Sequence, residues 1–248
     1  MTMNAAMLSQ VQLDAALRRC AEEPIHAPGA IQPHGALLAA RDDDDGRVAY
    51  VSANIAHLLG STAEQCLGRP LKTLLPGLNA TDDAPNSQNL AARRVTAADG
   101  GALAAFIHRR DGFIIVELED DSSAALAFPP DDNDNDAFVS ALAQVRSVFD
   151  VAALTVKRVA ALSGFDRCMF YRFLPDWSGD VIAETRDEDM VPYLGLRYPA
   201  SDIPEQARKL YVDNILRAVA DVDAEPSPLL TERDGANGGG RAAALNLG

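Results

Sequence analysis

The sequence predicts an α+β chain made of two antiparallel sheets, the first with short helices and the second with flanking helices. Three observations carry this. Short apolar-rich runs broken by Gly, Asp and Pro turns fill residues 35–120. A helical stripe then runs from Phe138 to Val159, with apolar residues alternating at spacings of four and three. Two further strand-like runs, RCMFYRFL and DVIAETR, follow it.

Taken in order, residues 4–19 carry Leu8, Val11 and Leu17 on a weak stripe, enough for a short helix or a mobile arm. From Cys20 the run CAEEPIHAPGAIQPHG holds Pro24, Pro28 and Pro33, each of which fixes φ and turns its predecessor away from the helical region, so this segment is extended. GALLAARD and RVAYVS form a hairpin about the acidic turn Asp42–Gly46. Asn54 is placed to cap a short helix, NIAHLLG, and a second helical piece covers Thr62 to Leu67. ARRVTAA, ALAAFIHRR and GFIIVELED complete the first sheet, with Asp99-Gly100-Gly101 as a turn.

PPDDNDNDA at 129–137 is polar and acidic and reads as a linker. In the helix beyond it, Phe138, Leu142, Val145, Phe149, Ala152, Val156 and Val159 make one stripe. That face serves to pack on its own domain. Val148, Val151, Leu154 and Leu162 add apolar surface beyond the stripe, and a homodimer through residues 137–162 is the expectation they raise. In YLGLRYPASDIPEQARKLYVDNILRAV, Pro204 suits the start of a helix, Glu205 complements its positive end, and Asp202 precedes it in backbone expected to be non-helical.

Composition limits function. Lys+Arg total 22 against Asp+Glu 36, a formal charge of -14 that repels phosphate backbones and anionic lipid, so neither nucleic acid nor membrane is expected as a partner. The amino terminus lacks a signal-peptide pattern and no run is long enough to span a bilayer, which predicts a cytoplasmic protein. Cys20, Cys66 and Cys168 have no metal spacing and are expected as thiols. No nucleophile–base pair, phosphate loop or metal cluster is legible, so no enzymatic activity is expected.

Two motifs add a resemblance. Cys20, Glu-Pro-Ile-His, Pro-Gly and Ile-Gln-Pro-His-Gly in that order resemble the amino-terminal signature of bacterial phytochromes, the bilin-binding red-light receptors. Far downstream, Tyr-Pro-Ala-Ser-Asp-Ile-Pro, then Gln-Ala-Arg and Leu-Tyr, resemble the bilin-pocket segment of the phytochrome GAF domain. The first sheet likewise resembles a PAS domain. The resemblance implies an N-terminal arm at 1–19, a PAS domain with the chromophore-attachment segment at 20–128, an acidic linker at 129–136, and a partial GAF domain at 137–230.

It also implies roles. Cys20 would form a thioether with biliverdin, a linear tetrapyrrole, and the main-chain carbonyl of Asp202 would accept from its pyrrole N–H groups. Met169, Tyr171, Tyr198 and Ile203 would pack around the rings, with Tyr211 nearby, and Arg217 would pair with a propionate. On pattern alone, Tyr171 and Tyr198 are equally strand-core aromatics and Arg217 a solvated helix-end charge. His26 and His34 belong to the signature and are expected to hold the loop.

Departures accompany these matches. The tail TERDGANGGGRAAALNLG, residues 231–248, is half Gly and Ala and is expected to be disordered, and no histidine follows His108. The family's remaining GAF strands and pocket histidines are therefore expected to be missing, as by truncation. The loop after Asp221-Val222-Asp223 is expected to lack its return strand, so that Ile31 is not threaded through a closed knot. Two functional readings stay open: a covalent biliverdin photosensor that hands its signal to an output partner, and a bilin-less remnant serving as a dimerisation or interaction module or having no function.

Overall fold

The computed structural model describes residues 15–16, 18–19, 22–76, 78, 93–97, 100–120, 132–213, 217–232 and 245–247. The chain divides into two compact units, one of residues 22–126 and 206–248, the other of residues 1–21 and 127–205.

The first unit is built on β1 (Ala30–Ile31), β2 (Ala36–Arg41), β3 (Val48–Ser52), β4 (Arg93–Thr96), β5 (Ala102–Arg110) and β6 (Phe113–Asp120). A strand from far along the chain, β10 (Ser227–Thr231), joins them, and the antiparallel order is β1-β10-β3-β2-β6-β5-β4. The predicted hairpin is β2–β3, with Leu38 opposite Val51 and an irregularity between Ala39 and Ala40. GALLAA is continuously apolar because β2 is covered on both faces. Leu38 and Ala40 meet Leu59, Cys66 and Leu71 of three short helices, α1 (Ala56–Leu59), α2 (Ala63–Cys66) and α3 (Leu71–Leu74). Leu37 and Ala39 face the other way, into a cluster with Ile115, Leu229 and Leu245.

Thr62 caps α2 as expected, in a reciprocal box with Gln65. Asn54 does not cap α1, whose N-cap is Ile55. Its amide is engaged elsewhere: Nδ2 donates to Pro33 O (3.2 Å) and Gly35 O (2.8 Å), and Oδ1 accepts from Ser227 Oγ (3.0 Å). Asn54 thus latches the proline-rich lead-in and β10 to the end of β3, and three long-range bonds outweigh one local cap.

In β10, Leu229, Leu230 and Thr231 pair with Ser52, Val51 and Tyr50 of β3, while Pro228 and Ser227 face Ala30 and Ile31 of β1. The contacts group β10 with the first unit. An unpaired β3 edge would expose a row of N–H and C=O groups, and β10 occupies it. The loop ahead of β10 has the strand it was expected to lack. Gln32 holds that loop at two points, donating from Nε2 to Ala218 O (2.5 Å) and accepting at Oε1 from Ala220 N–H (2.7 Å). Disorder is also corrected at residues 245–247. Leu245 is buried, Leu247 N–H donates to His26 O (2.8 Å), and Asn246 bonds Asp111 (2.9 Å), because this short piece supplies two leucines to an apolar sheet face. The rest of the expected tail after Glu232, and the arm before Ala15, lie outside the described residues.

The second unit contains α4 (Asp132–Leu142), α5 (Val148–Ser163), β7 (Arg167–Phe173), β8 (Gly179–Arg186) and β9 (Arg197–Tyr198), with sheet order β7-β8-β9. The acidic stretch read as a linker is helical from Asp132. The expected long helix is in fact two. Ser147 has extended backbone and its Oγ accepts from Asp150 N–H at 3.1 Å, so it starts α5 afresh after a break at Ala143–Arg146. Of the predicted inward stripe, α5 buries Ala152 and Val156 against Cys168, Phe170, Ile182 and Ala183, whereas Phe149 and Val159 stay exposed. Val148 and Leu162 are exposed on it as well. Among the described residues no helix is long and apolar enough to cross a membrane.

Candidate functional site

The sheet of the second unit has one face against α5 and one that carries the aromatic residues singled out above. Side chains alternate along a strand, so Cys168 and Phe170 point to the helix while Met169, Tyr171 and Phe173 point away. The register on β8 shifts at this point. Phe170 pairs with Ala183 and Tyr171 with Val181, which leaves Ile182 as an extra residue that joins the helix-side cluster. The bulge keeps Ile182 and Ala183 both in the core without turning Tyr171 out of its own face.

On that face the Tyr171 ring meets Phe173 edge-on at 5.3 Å between centroids and Tyr198 at 6.1 Å, and Phe173 meets Trp177 at 6.2 Å. Tyr198 arrives on β9, opposite Gly179 of β8. Burial pushes the Tyr171 phenol above its ordinary pKa, with the Asp202 carboxylate, Tyr198 and Asp180 adding to the shift. Tyr171 therefore stays a neutral phenol through the physiological range.

Asp202 closes a short 3₁₀ turn, Ala200–Asp202, with its N–H donating to Pro199 O (3.1 Å). This corrects the expectation of non-helical backbone. Pro204 restricts the residue before it, and that residue is Ile203, which is extended at φ -124° and ψ 97°. Ile203 is half-buried and Asp202 exposed. Met169 lies exposed at the margin of the face.

The structure thus brings Met169, Tyr171, Tyr198, Asp202 and Ile203 into one unit. Tyr211, on α6 (Glu205–Asp213), and Arg217 belong to the other unit and are both exposed. Cys20 lies outside the described residues. Several residues that sequence reading passed over shape the face. Gly179 lies under Tyr171. Asp180 accepts from Arg197 Nε (2.8 Å) and Arg172 Nη2 (3.2 Å), a row of charges across the three strands. Their one sequence signal was the i, i+2 alternation of charged and aromatic positions.

A family model described as a PAS fold matches residues 20–121. Bacteriophytochromes of Xanthomonas campestris pv. campestris and Pseudomonas aeruginosa are 39% and 40% identical over 85% of the chain, and the chain spans 34% and 29% of their respective lengths. A crystal structure of the chromophore-binding domain of Stigmatella aurantiaca bacteriophytochrome in the Pr state superposes with a TM-score of 0.78 at 35% identity, covering 92% of this chain and 76% of that one. The fold is that of the chromophore-binding PAS-GAF region of phytochromes. The chain belongs to the bacterial phytochrome family.

Proposed function

We propose that this chain binds biliverdin covalently through Cys20 and serves as the light-sensing region of a red/far-red receptor. The observation that carries the reading is the half-exposed aromatic face of Tyr171, Tyr198 and Phe173, backed by Gly179 and edged by Met169. It fits a flat conjugated ligand by stacking and apolar contact. Bound bilin would supply red-light absorption and a double-bond isomerisation. Tyr171, Tyr198, Met169 and Ile203 would exclude water from its rings, and the Asp202 main-chain carbonyl would accept from pyrrole N–H groups. Tyr211 would pack or bond nearby, and Arg217 would hold a propionate by a two-point ion pair. The thiol of Cys20 would react as its thiolate.

Expression of the chain with biliverdin, followed by an absorbance spectrum and a denaturing-gel test for attached pigment, checks this. Red-region absorbance with pigment retained on the gel, and lost from the gel in Cys20→Ser, is the expected result. Soluble wild-type protein without pigment would refute it.

A dimer through α4 and α5 is part of the same proposal, since Val148, Phe149, Val159 and Leu162 are exposed on α5. A sedimenting monomer at micromolar concentration would exclude it. The signal would leave through an output module or partner, in the cytoplasm.

A further inference from the structure

The loop between β8 and β9, residues Asp187–Leu196, delivers Tyr198 and the Asp202 turn to the aromatic face, and it is held from beneath by a buried ion pair. Glu184 sits on β8 with its side chain 3% exposed, next to Arg167 of β7 at 19%. Glu184 Oε2 accepts from two successive backbone N–H groups, Tyr193 (2.9 Å) and Leu194 (3.0 Å). Its other oxygen lies 3.3 Å from Arg167 Nε, an ion pair without a straight hydrogen bond. Arg167 reaches the same loop twice more. Nη2 donates to Val191 O (2.6 Å), and the guanidinium lies 4.0 Å from the centroid of the Tyr193 ring.

The hold extends directly to the site. Immediately after Leu194, Gly195 N–H donates to Val181 O (2.9 Å) and Val181 N–H to Leu196 O (3.1 Å), and then Arg197 and Tyr198 pair with Asp180 and Gly179. β9 is two residues long, too short to fix its own position. Its placement depends on what precedes it. A nearly buried carboxylate without its partners is strongly disfavoured, so the arrangement has one satisfied state rather than a continuum.

We infer that Glu184 and Arg167 are positioning residues for the ligand face: by clasping Val191, Tyr193 and Leu194 they set β9, and with it the Tyr198 ring against Tyr171. The inference deepens the biliverdin reading above and rests on it for the identity of the ligand. It does not rest on it for the placement of Tyr198.

Two measurements on the full chain separate these. The first is residue-resolved amide exchange on pigment-free wild type, Glu184→Gln and Arg167→Lys. Gln keeps the size and can still offer one oxygen to both N–H groups, but that oxygen carries no charge and its NH2 is turned toward the Arg167 guanidinium. Exchange at Tyr193 and Leu194 should rise roughly ten- to a hundredfold, as for loss of a hydrogen bond to a charged group, and that at Arg197 and Tyr198 should rise with it. Exchange within β2, β5 and β6 should not change. Arg167→Lys, which keeps the charge and is the safeguard should Glu184→Gln fail to fold, should give a smaller rise at the same four residues. A rise confined to Tyr193 and Leu194, with Arg197 and Tyr198 as in wild type, would overturn the inference.

The second measurement is noncovalent biliverdin affinity in the Cys20→Ser background, read by quenching of Trp177 fluorescence. Glu184→Gln should weaken it about tenfold, one hydrogen bond's worth of positioning. Affinity equal to the parent's, with β9 loosened, would overturn the role toward ligand. A parent that binds no biliverdin would overturn the proposed function and leave the clasp to be judged by exchange at β9.

Discussion

The Tyr171 ring lies directly on Gly179: a Cβ built at Gly179 would come within 2.0 Å of Tyr171 Cζ. No other residue type fits beneath the ring. The central aromatic of this face is seated on bare backbone, with Phe173 and Tyr198 of the flanking strands both paired with that same glycine.

Gly179→Ala should therefore displace the Tyr171 ring and not merely crowd it. We expect a loss of about 1–3 kcal/mol in denaturant unfolding, with biliverdin uptake reduced more than in Tyr171→Phe. Unchanged unfolding and uptake would show that the ring moves aside freely.

Gln32 replaces a missing strand partner, since its amide both donates to Ala218 and accepts from Ala220, as a backbone unit would. Gln32→Ala should cost roughly 1–2 kcal/mol for the pair of bonds and accelerate amide exchange at Ala220. Gln32→Glu should be at least as harmful, because a carboxylate cannot donate to the Ala218 carbonyl. Arg217 adjoins this clamp in sequence, so on its proposed role toward a propionate either change should also lower affinity for a propionate-bearing bilin relative to its methyl ester.

The Asp180 carboxyl is held below its ordinary pKa, first by the hydrogen bond from Arg197 and then by that from Arg172. A depressed folded-state value means that the unfolded chain binds the proton more readily. The stabilisation is complete above the ordinary carboxylate value of about 3.9 and is lost as pH falls through the lower folded value. Thermal unfolding followed from pH 6 downward should show the second unit weakening below about pH 4, and Asp180→Asn should flatten that slope.

Ser147 separates α4 from α5 by starting the second helix, its Oγ accepting from Asp150 N–H. Ser147→Ala should lower stability by about 1 kcal/mol, detectable as a reduced urea midpoint. Ser147→Asp, which preserves the acceptor, should recover most of it.

Local pattern carried the strands well, because alternation and turn residues act over a few neighbours: β2, β3, β5, β6, β7 and β8 lie where those signals put them. What escaped was set at long range. Asn54 looked like a cap, but its amide is claimed by Pro33, Gly35 and Ser227. The stripe from Phe138 to Val159 has helical spacing throughout, and one serine hydroxyl breaks it. Tyr171 and Tyr198 were legible as candidates, yet the support beneath them was not. Gly179, Glu184 and Arg167 lie in strand runs whose pattern gives no sign of that support, which arises only when the loop folds back over them.

β10 is complete only when Thr231 has been made, roughly 110 residues after Asp120 closes the local part of its sheet. At ordinary elongation rates that is on the order of 5–20 s. During that interval β2, β3, β5 and β6 can pair from near neighbours, while the β3 edge and the Leu37–Ile115 face wait uncovered. The chain's most vulnerable moment therefore falls during its own synthesis. Ribosome-bound intermediates ending before Ser227 should recruit chaperones that those ending after the last leucines do not.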